Sequence, residues 1–256
     1  ALGVSETDSM IAIQHNSESN IWVAPAGNLK EAKQITFGSI GRQDGWNGMD
    51  WTADGRIVYS ARIDQSLTIW IMNADGTNAR QLTPNGFWDK RLRVSADGTF
   101  IVFDSNRSGK WEIWRVGTDG NDLRQLTTNG GNINPSVTPD GKWLVYQHET
   151  KDGDSVQRIA FEGGEPIRLT SQAANNPHIS PDGKFVACGY SAGGKTKLAI
   201  LSIEGGEPLK LFDVPPTHNF HNTAIRWSPD GRFINYRDWS NGIWQQSIEG
   251  GSPVLL

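Results

Sequence analysis

An Asp-Gly pair recurs along this chain at a spacing that few architectures accept. It stands at Asp54-Gly55, Asp97-Gly98, Asp140-Gly141, Asp182-Gly183 and Asp230-Gly231, at steps of 43, 43, 42 and 48 residues. Each pair follows Trp, Val or Ile, then Ser or Thr, then Pro or Ala. Each leads into a β-forming run: Ile57-Val58-Tyr59, Phe100-Ile101-Val102-Phe103, Trp143-Leu144-Val145-Tyr146, Phe185-Val186-Ala187, and Phe233-Ile234 with Tyr236. Proline presets φ at the first central position of a turn, Asp bonds its own backbone, and Gly accepts φ > 0. The unit therefore reads as strand, tight turn, strand. A worn sixth copy opens the chain at Val4-Ser5-Glu6-Thr7-Asp8, before Met10-Ile11-Ala12-Ile13, with Asp8 in the glycine position. A period of roughly 40–50 residues marks a propeller or solenoid.

Each copy continues with a third strand, such as Leu67-Thr68-Ile69-Trp70-Ile71 or Glu112-Ile113-Trp114-Arg115, and a second turn at Asp75-Gly76, Asp119-Gly120, Gly163-Gly164, Gly205-Gly206 or Gly250-Gly251. A fourth strand follows, marked by Arg80-Gln81-Leu82-Thr83, Arg124-Gln125-Leu126-Thr127 or Ile167-Arg168-Leu169-Thr170. These are hairpin signals, and no segment carries a capped helical period. The pattern predicts an all-β fold: a six-bladed β-propeller of four-stranded antiparallel blades, closed without a strand shared between the termini. The expected blades are 1–37, 46–83, 90–127, 133–170, 175–212 and 222–256 of a single domain spanning 1–256.

A net charge of −4 argues against a nucleic-acid footprint. Cys188 is the one cysteine, so no internal disulfide forms. No run of about 18 apolar residues offers a transmembrane helix. The chain begins inside its first repeat, which suggests a segment of a longer protein.

The recurrent [Trp/Val/Ile]-[Ser/Thr]-[Pro/Ala]-Asp-Gly-[Arg/Lys/Thr] and Ile-Trp…Asp-Gly…Arg-Gln-Leu-Thr patterns resemble the TolB-like, or PD40, propeller repeat over essentially the whole chain. Residues 51–83 and 94–127 fit best. The fifth copy departs, with Lys197-Leu198-Ala199-Ile200 lacking the Trp and Leu211-Phe212 replacing Leu-Thr. The resemblance implies a bacterial module, periplasmic or otherwise extracytoplasmic, that binds other proteins. It also extends to sensor regions of regulators and to propellers that gate peptidases. Neither an amino-terminal TolB domain nor a hydrolase domain is visible.

Several motifs invite a catalytic or metal role. Gly189-Tyr190-Ser191-Ala192-Gly193 matches a nucleophile elbow, but that motif needs a strand followed by a helix and here falls in a hairpin. Asn73-x-Asp75-Gly76-x-Asn78 and Lys151-Asp152-Gly153-Asp154 resemble pieces of calcium loops without the closing Glu. His218 and His221 lie three apart with no further ligand near in sequence. No catalytic residue, metal or cofactor is assigned.

The inner strands carry a stronger signal. Counting back from each turn Asp, the third and fifth positions are mostly apolar. The fourth reads Gly3, Asp50, Arg93, Ser136, His178, Arg226, and the sixth adds Gly48, Arg91, Asn134, Asn176, Ala224. This period-two pattern places the polar side toward the central channel. Six-fold geometry would set Arg93 opposite Arg226 and Asp50 opposite His178. Asp50, Arg91, Arg93, His178 and Arg226 are the candidate ligand residues, and converging arginines suit a carboxylate or phosphate. The loops entering the second and sixth blades are the longest: 18 residues separate Thr36 from Asp54 and Phe212 from Asp230, against 12 to 14 elsewhere. Trp46, Phe87, Trp88, His218, Phe220 and His221 are the candidate partner contacts on that face. The reading is a non-catalytic binding or sensing propeller for a protein, peptide or small anion. The alternative is the propeller of a peptidase or polysaccharide lyase, gating or carrying an active site.

Overall fold

In each turn the hydroxyl before the Asp-Gly pair organises the backbone. The Oγ of Ser95, Thr138, Ser180 and Ser228 donates to the turn aspartate at 2.5–2.6 Å and accepts the N–H of Phe100, Trp143, Phe185 or Phe233 at 2.9–3.0 Å. Thr52 bonds Asp54 and Arg56 in the same way. The turn glycines sit at φ of 69–81°, which a side chain would strain. Hydrogen bonds from Arg56 and Thr52 hold the Asp54 carboxyl at about 2, and those from Ser228 and Arg232 hold Asp230 at about 2. Both folded values lie below the unfolded carboxylate range. Their contribution is thus present above about pH 4 and lost as pH falls through about 2. Carboxyl-carbon NMR should show both midpoints near 2, and midpoints near 4 would mean that these turns are not locked.

The computed structural model describes residues 2–4, 10–12, 19–24, 29–38, 41–215, 220, 225–238 and 242–256. Five four-stranded antiparallel sheets follow one another along the chain, each ordered as its sequence runs. The first repeat gives strands β1 (Leu2–Val4), β2 (Met10–Ala12), β3 (Trp22–Val23) and β4 (Lys33–Gln34). Blade 2 comprises β5 (Gln43–Trp51), β6 (Arg56–Ile63), β7 (Ser66–Asn73) and β8 (Arg80–Gln81). Blade 3 comprises β9 (Asp89–Val94), β10 (Phe100–Ser105), β11 (Glu112–Gly117) and β12 (Arg124–Gln125). Blade 4 comprises β13 (Asn132–Val137), β14 (Trp143–His148), β15 (Ser155–Ala160) and β16 (Ile167–Arg168). Blade 5 comprises β17 (Ala174–Ile179), β18 (Phe185–Ala192), β19 (Lys195–Ser202) and β20 (Lys210–Asp213). Blade 6 comprises β21 (Ile225–Trp227), β22 (Phe233–Asp238), β23 (Gly242–Ser247) and β24 (Val254–Leu255). Among the described residues there is no α-helix, only a 3-10 turn at Leu29–Glu31.

Six four-stranded blades were expected, and among the described residues five are found. The first repeat contributes two separate two-stranded sheets, β1–β2 and β3–β4. Its sequence lacks the Asp-Gly pair, so the least local chemistry fixes its four-strand register. The β3–β4 pair still docks on blade 2, where Ile21 packs with Ile57, Tyr59, Ala61 and Met72.

The core is sliced rather than central. Ile101 and Phe103 pack toward blade 2, with Val58, Ile69 and Leu92, while Val102 faces blade 4, with Leu144 and Tyr146. Val145 turns the other way, toward Val186 and Tyr190 of blade 5. A strand buried on both faces reads as an unbroken apolar run, which is why the runs after Asp-Gly do not alternate. The Leu-Thr mark also has a physical basis. The Oγ1 of Thr36, Thr83, Thr127 and Thr170 accepts the N–H of Ile21, Ile69, Ile113 and Val156 at 2.8–3.2 Å, tying each outer strand back to the third.

Candidate functional site

The inner strands bend before they reach the turn. Pairing with the second strand shifts between Asp44 and Met49, between Val102 and Asp104, between Ile133 and Ser136, and between Asn175 and His178. At these bulges Gly48, Arg91, Asn134 and Asn176 take φ of 145°, 53°, 55° and 50°. Left-handed φ is tolerated by Gly and Asn and uncommon for Arg. Arg91 is held there by an ion pair to buried Asp104 at 3.0 Å. Burial pushes the Asp104 carboxyl above the ordinary range, against the pull of Arg91 and Lys90. Around the same tier, Asn134 donates to Gln147 at 3.0 Å and to Asn176 at 2.8 Å, and the Asn176 N–H donates to Gln147 at 3.0 Å. Asp104 and Gln147 escaped the sequence reading. Their one signal is a polar residue ending an apolar run.

The fourth-position side chains form a second tier, and their bonds run around the ring to the neighbouring blade. Asp50 accepts the N–H of Val94 at 3.0 Å, Ser136 that of Ile179 at 3.2 Å, and His178 Nδ1 that of Trp227 at 3.4 Å. The Trp227 indole N–H also donates to the His178 carbonyl at 3.0 Å. The inner strands of blades 2, 4 and 5 thus close the edge of the next blade, where an unpaired buried N–H would be costly.

Arg93 breaks the sequence of acceptors. A guanidinium only donates, so it cannot accept the N–H of Val137, which holds the matching register. Arg93 Nη1 donates instead to the carbonyl of Leu92, and its buried Nε has no partner. Arg226 likewise donates to the Ile225 carbonyl, at 2.7 Å. Asp50 makes no ion pair among the described residues, and the Trp51 and Val94 N–H groups donate to its two oxygens at 3.0 Å. Burial, with the positive charge of Arg93, lowers His178 to about 3, so its imidazole is neutral at physiological pH.

On the loop face the candidate aromatics turn inward. Phe87 and Trp88 are half-buried. The Arg107 guanidinium lies between Phe87, Phe103 and Trp114, 5.0–5.5 Å from each ring centre, and pairs with fully buried Asp89 at 2.5 Å. Arg62 covers Trp88 at 5.6 Å, and Lys90 covers Trp111 at 3.9 Å. Phe220, expected on the loop face, is fully buried against Tyr236, with ring centres 5.4 Å apart. The side chain of Trp46 and residues His218 and His221 lie outside the described residues. Ser191 sits near the end of β18, which turns through Gly193-Gly194 into strand β19, so no helix presents its hydroxyl. Burial pushes the Cys188 thiol up to about 12, an inert core position.

Residues 15–216 match the family described as the TolB β-propeller domain, PD40. The chain belongs to that family. Among solved structures, TolB from Acinetobacter baumannii superposes with a TM-score of 0.67 at 22% identity, over 86% of this chain and 55% of that one. The oligogalacturonate lyase of Vibrio parahaemolyticus gives 0.68 at 14% identity, over 93% and 71%. A puromycin-hydrolyzing peptidase of Mycobacterium tuberculosis gives 0.63 at 16% identity, over 90% and 40%. These likenesses establish the fold, which TolB and two enzymes share. A search of curated proteins finds no match.

Proposed function

We propose that this TolB-like propeller is a non-catalytic binding module whose channel mouth holds a carboxylate of a peptide or small acid at Arg93. The reading takes six blades closing into one domain, within a longer extracytoplasmic bacterial protein. The observation that carries it is the interruption at Arg93. Three of the fourth-position side chains accept a backbone N–H from the next blade, and Arg93 cannot. The buried Arg93 Nε has no acceptor among the described residues, and Arg93 offers none to the Val137 N–H at the junction of blades 3 and 4. A carboxylate supplies acceptor oxygens there, and a charge-assisted bond in a partly desolvated wall is the stronger kind.

The rival reading, a propeller carrying a lyase or peptidase site, draws on the likeness to those enzymes. Its best acid–base candidate is His178. A base poised near pH 7 is the useful one, and an imidazole held near 3 with Nδ1 engaged is a weak base. The test is a titration with an acetylated dipeptide bearing a free carboxylate, and with its amide, followed at the Arg93 Nε–H resonance. The acid should shift that resonance saturably and the amide should not. Arg93→Gln should weaken binding by about tenfold or more. Equal response to acid and amide, or binding unchanged in Arg93→Gln, would overturn the assignment.

A further inference from the structure

At one register of blades 2 to 5 the third strand pairs with the outer strand: Ile71 with Arg80, Arg115 with Arg124, Arg158 with Ile167, Ile200 with Lys210. In blades 2, 3 and 4 a guanidinium from this pair crosses to the following blade and grips the turn between its third and fourth strands. Arg80 donates to the carbonyls of Thr118 at 2.6 Å and Asp119 at 3.1 Å. Arg115 meets Glu162 at 3.1 Å, and Arg158 meets Glu204 at 2.6 Å and the Ile203 carbonyl at 3.0 Å. The stacked guanidinium is part of the motif: Arg115 lies 4.1 Å from the Phe100 ring centre and Arg158 4.3 Å from that of Trp143.

Blade 5 keeps the ring and the acid that flank that guanidinium and lacks the guanidinium. Phe185 stands where Phe100 and Trp143 stand, third after the turn Asp. Glu249 stands where Glu162 and Glu204 stand, and among the described residues it forms no ion pair. Ile200 replaces the arginine, and Lys210 reaches only the Ile248 carbonyl, at 2.6 Å. There a cleft of roughly 290 Å³ opens between blades 5 and 6, lined by Phe185, Ile200, Trp227 and Ile248, with Lys210 at its wall and exposed Asp182 and Asp230 beside it.

We propose that this cleft receives an arginine side chain of a partner polypeptide, supplying in trans the guanidinium that blades 2 to 4 supply from their own chain. The aliphatic stem would lie along Ile200 and Ile248, the flat cation over Phe185, and its forked donors toward Glu249. A net charge of −4 favours the approach of a basic segment. The cleft lies between blades 5 and 6 and Arg93 at the junction of blades 3 and 4, so the cleft stands independently of the Arg93 site.

A blocked pentapeptide with a central arginine, and its citrulline counterpart, would be titrated against the protein and followed at the Trp227 indole resonance. The arginine peptide should saturate at least about tenfold more tightly than the citrulline one, because citrulline keeps the shape and loses the charge. Glu249→Gln should weaken it about fivefold or more. Ile200→Arg should abolish it, because the chain then fills its own cleft. Equal affinity for citrulline, indifference to Glu249→Gln, or no saturable shift in the wild-type protein would overturn the proposal. Glu249→Gln, an exposed change, keeps the test open should Ile200→Arg not fold.

Discussion

Asp89→Ala is expected to destabilise the protein by about 3–5 kcal/mol, the usual cost of removing one partner of a buried ion pair. Asp89 is fully buried, and Arg107 beside it has only 6% of its side chain exposed. Without the carboxylate, a guanidinium remains enclosed by Phe87, Phe103 and Trp114. The three rings offset part of that cost, since cation–π contacts contribute about 0.5–2 kcal/mol each when desolvated. The Ser105 hydroxyl, which accepts from Arg107 Nε at 3.0 Å, satisfies one more donor. Asp89→Asn keeps an acceptor toward Arg107 and removes the charge, so it should cost less than the alanine change. Urea unfolding of both variants checks this, read as a shift in midpoint at unchanged slope. A loss below about 1 kcal/mol in Asp89→Ala would show that Arg107 swings out to water.

The same cluster decides how Phe87 and Trp88 are read. As loop aromatics they look like anchors for a partner. In the structure Phe87 walls in the Arg107–Asp89 pair, and Trp88 lies under Arg62 with its backbone N–H donating to Asn106 at 2.9 Å. A Phe87 substitution should therefore act through stability before it acts through binding, and unfolding should be measured before any affinity is interpreted.

What was legible in the sequence was what lies close along the chain. The turn hydroxyl, the aspartate and the glycine act within five residues of one another, so their chemistry can be read directly, and blades 2 to 6 follow from it. The outer Thr acts over 14 or 15 residues, within one repeat, and shows as a recurring letter. The inter-blade bonds span about one whole repeat: Asp50 to Val94, Ser136 to Ile179, His178 to Trp227. Aligning the copies singled out these side chains and led us to expect them on the channel wall. It could not show that three of them accept from the next blade, because Asp, Ser and His share no letter, only the ability to accept. Phe220 failed for a different reason. An aromatic in a long loop reads as a surface contact, yet this one is the lid on Tyr236, at φ 57°. The first repeat, with no Asp-Gly pair to set its register, was extrapolated from its neighbours, and there the expected four strands became two separate pairs.

Acidification should destabilise the native protein through His178 over a window set by its displaced equilibrium. The folded value, about 3, lies below the unfolded value of 6.5. The unfolded chain therefore takes up a proton as pH falls through 6.5, while the folded chain refuses it until about 3. Stability from this group is intact above 6.5, declines through the window, and levels below about 3, with a slope of at most about 1.4 kcal/mol per pH unit. Between pH 6.5 and 4.5 this amounts to about 2–3 kcal/mol. Most turn carboxylates remain ionised there, so the comparison is cleanest in that interval. His178→Asn keeps an acceptor near the Trp227 N–H and cannot titrate, so it should flatten the acid limb relative to the wild-type protein, whose other four histidines are common to both. Denaturant midpoints at pH 6.5, 5.5 and 4.5 give the slopes, and the His178 ring resonances should stay unmoved down to 4.5. A wild-type slope that survives in the variant would show that His178 is charged in the folded state. It would also restore to the channel wall a second cation beside Arg93, and with it a stronger pull on an anion than a neutral imidazole exerts.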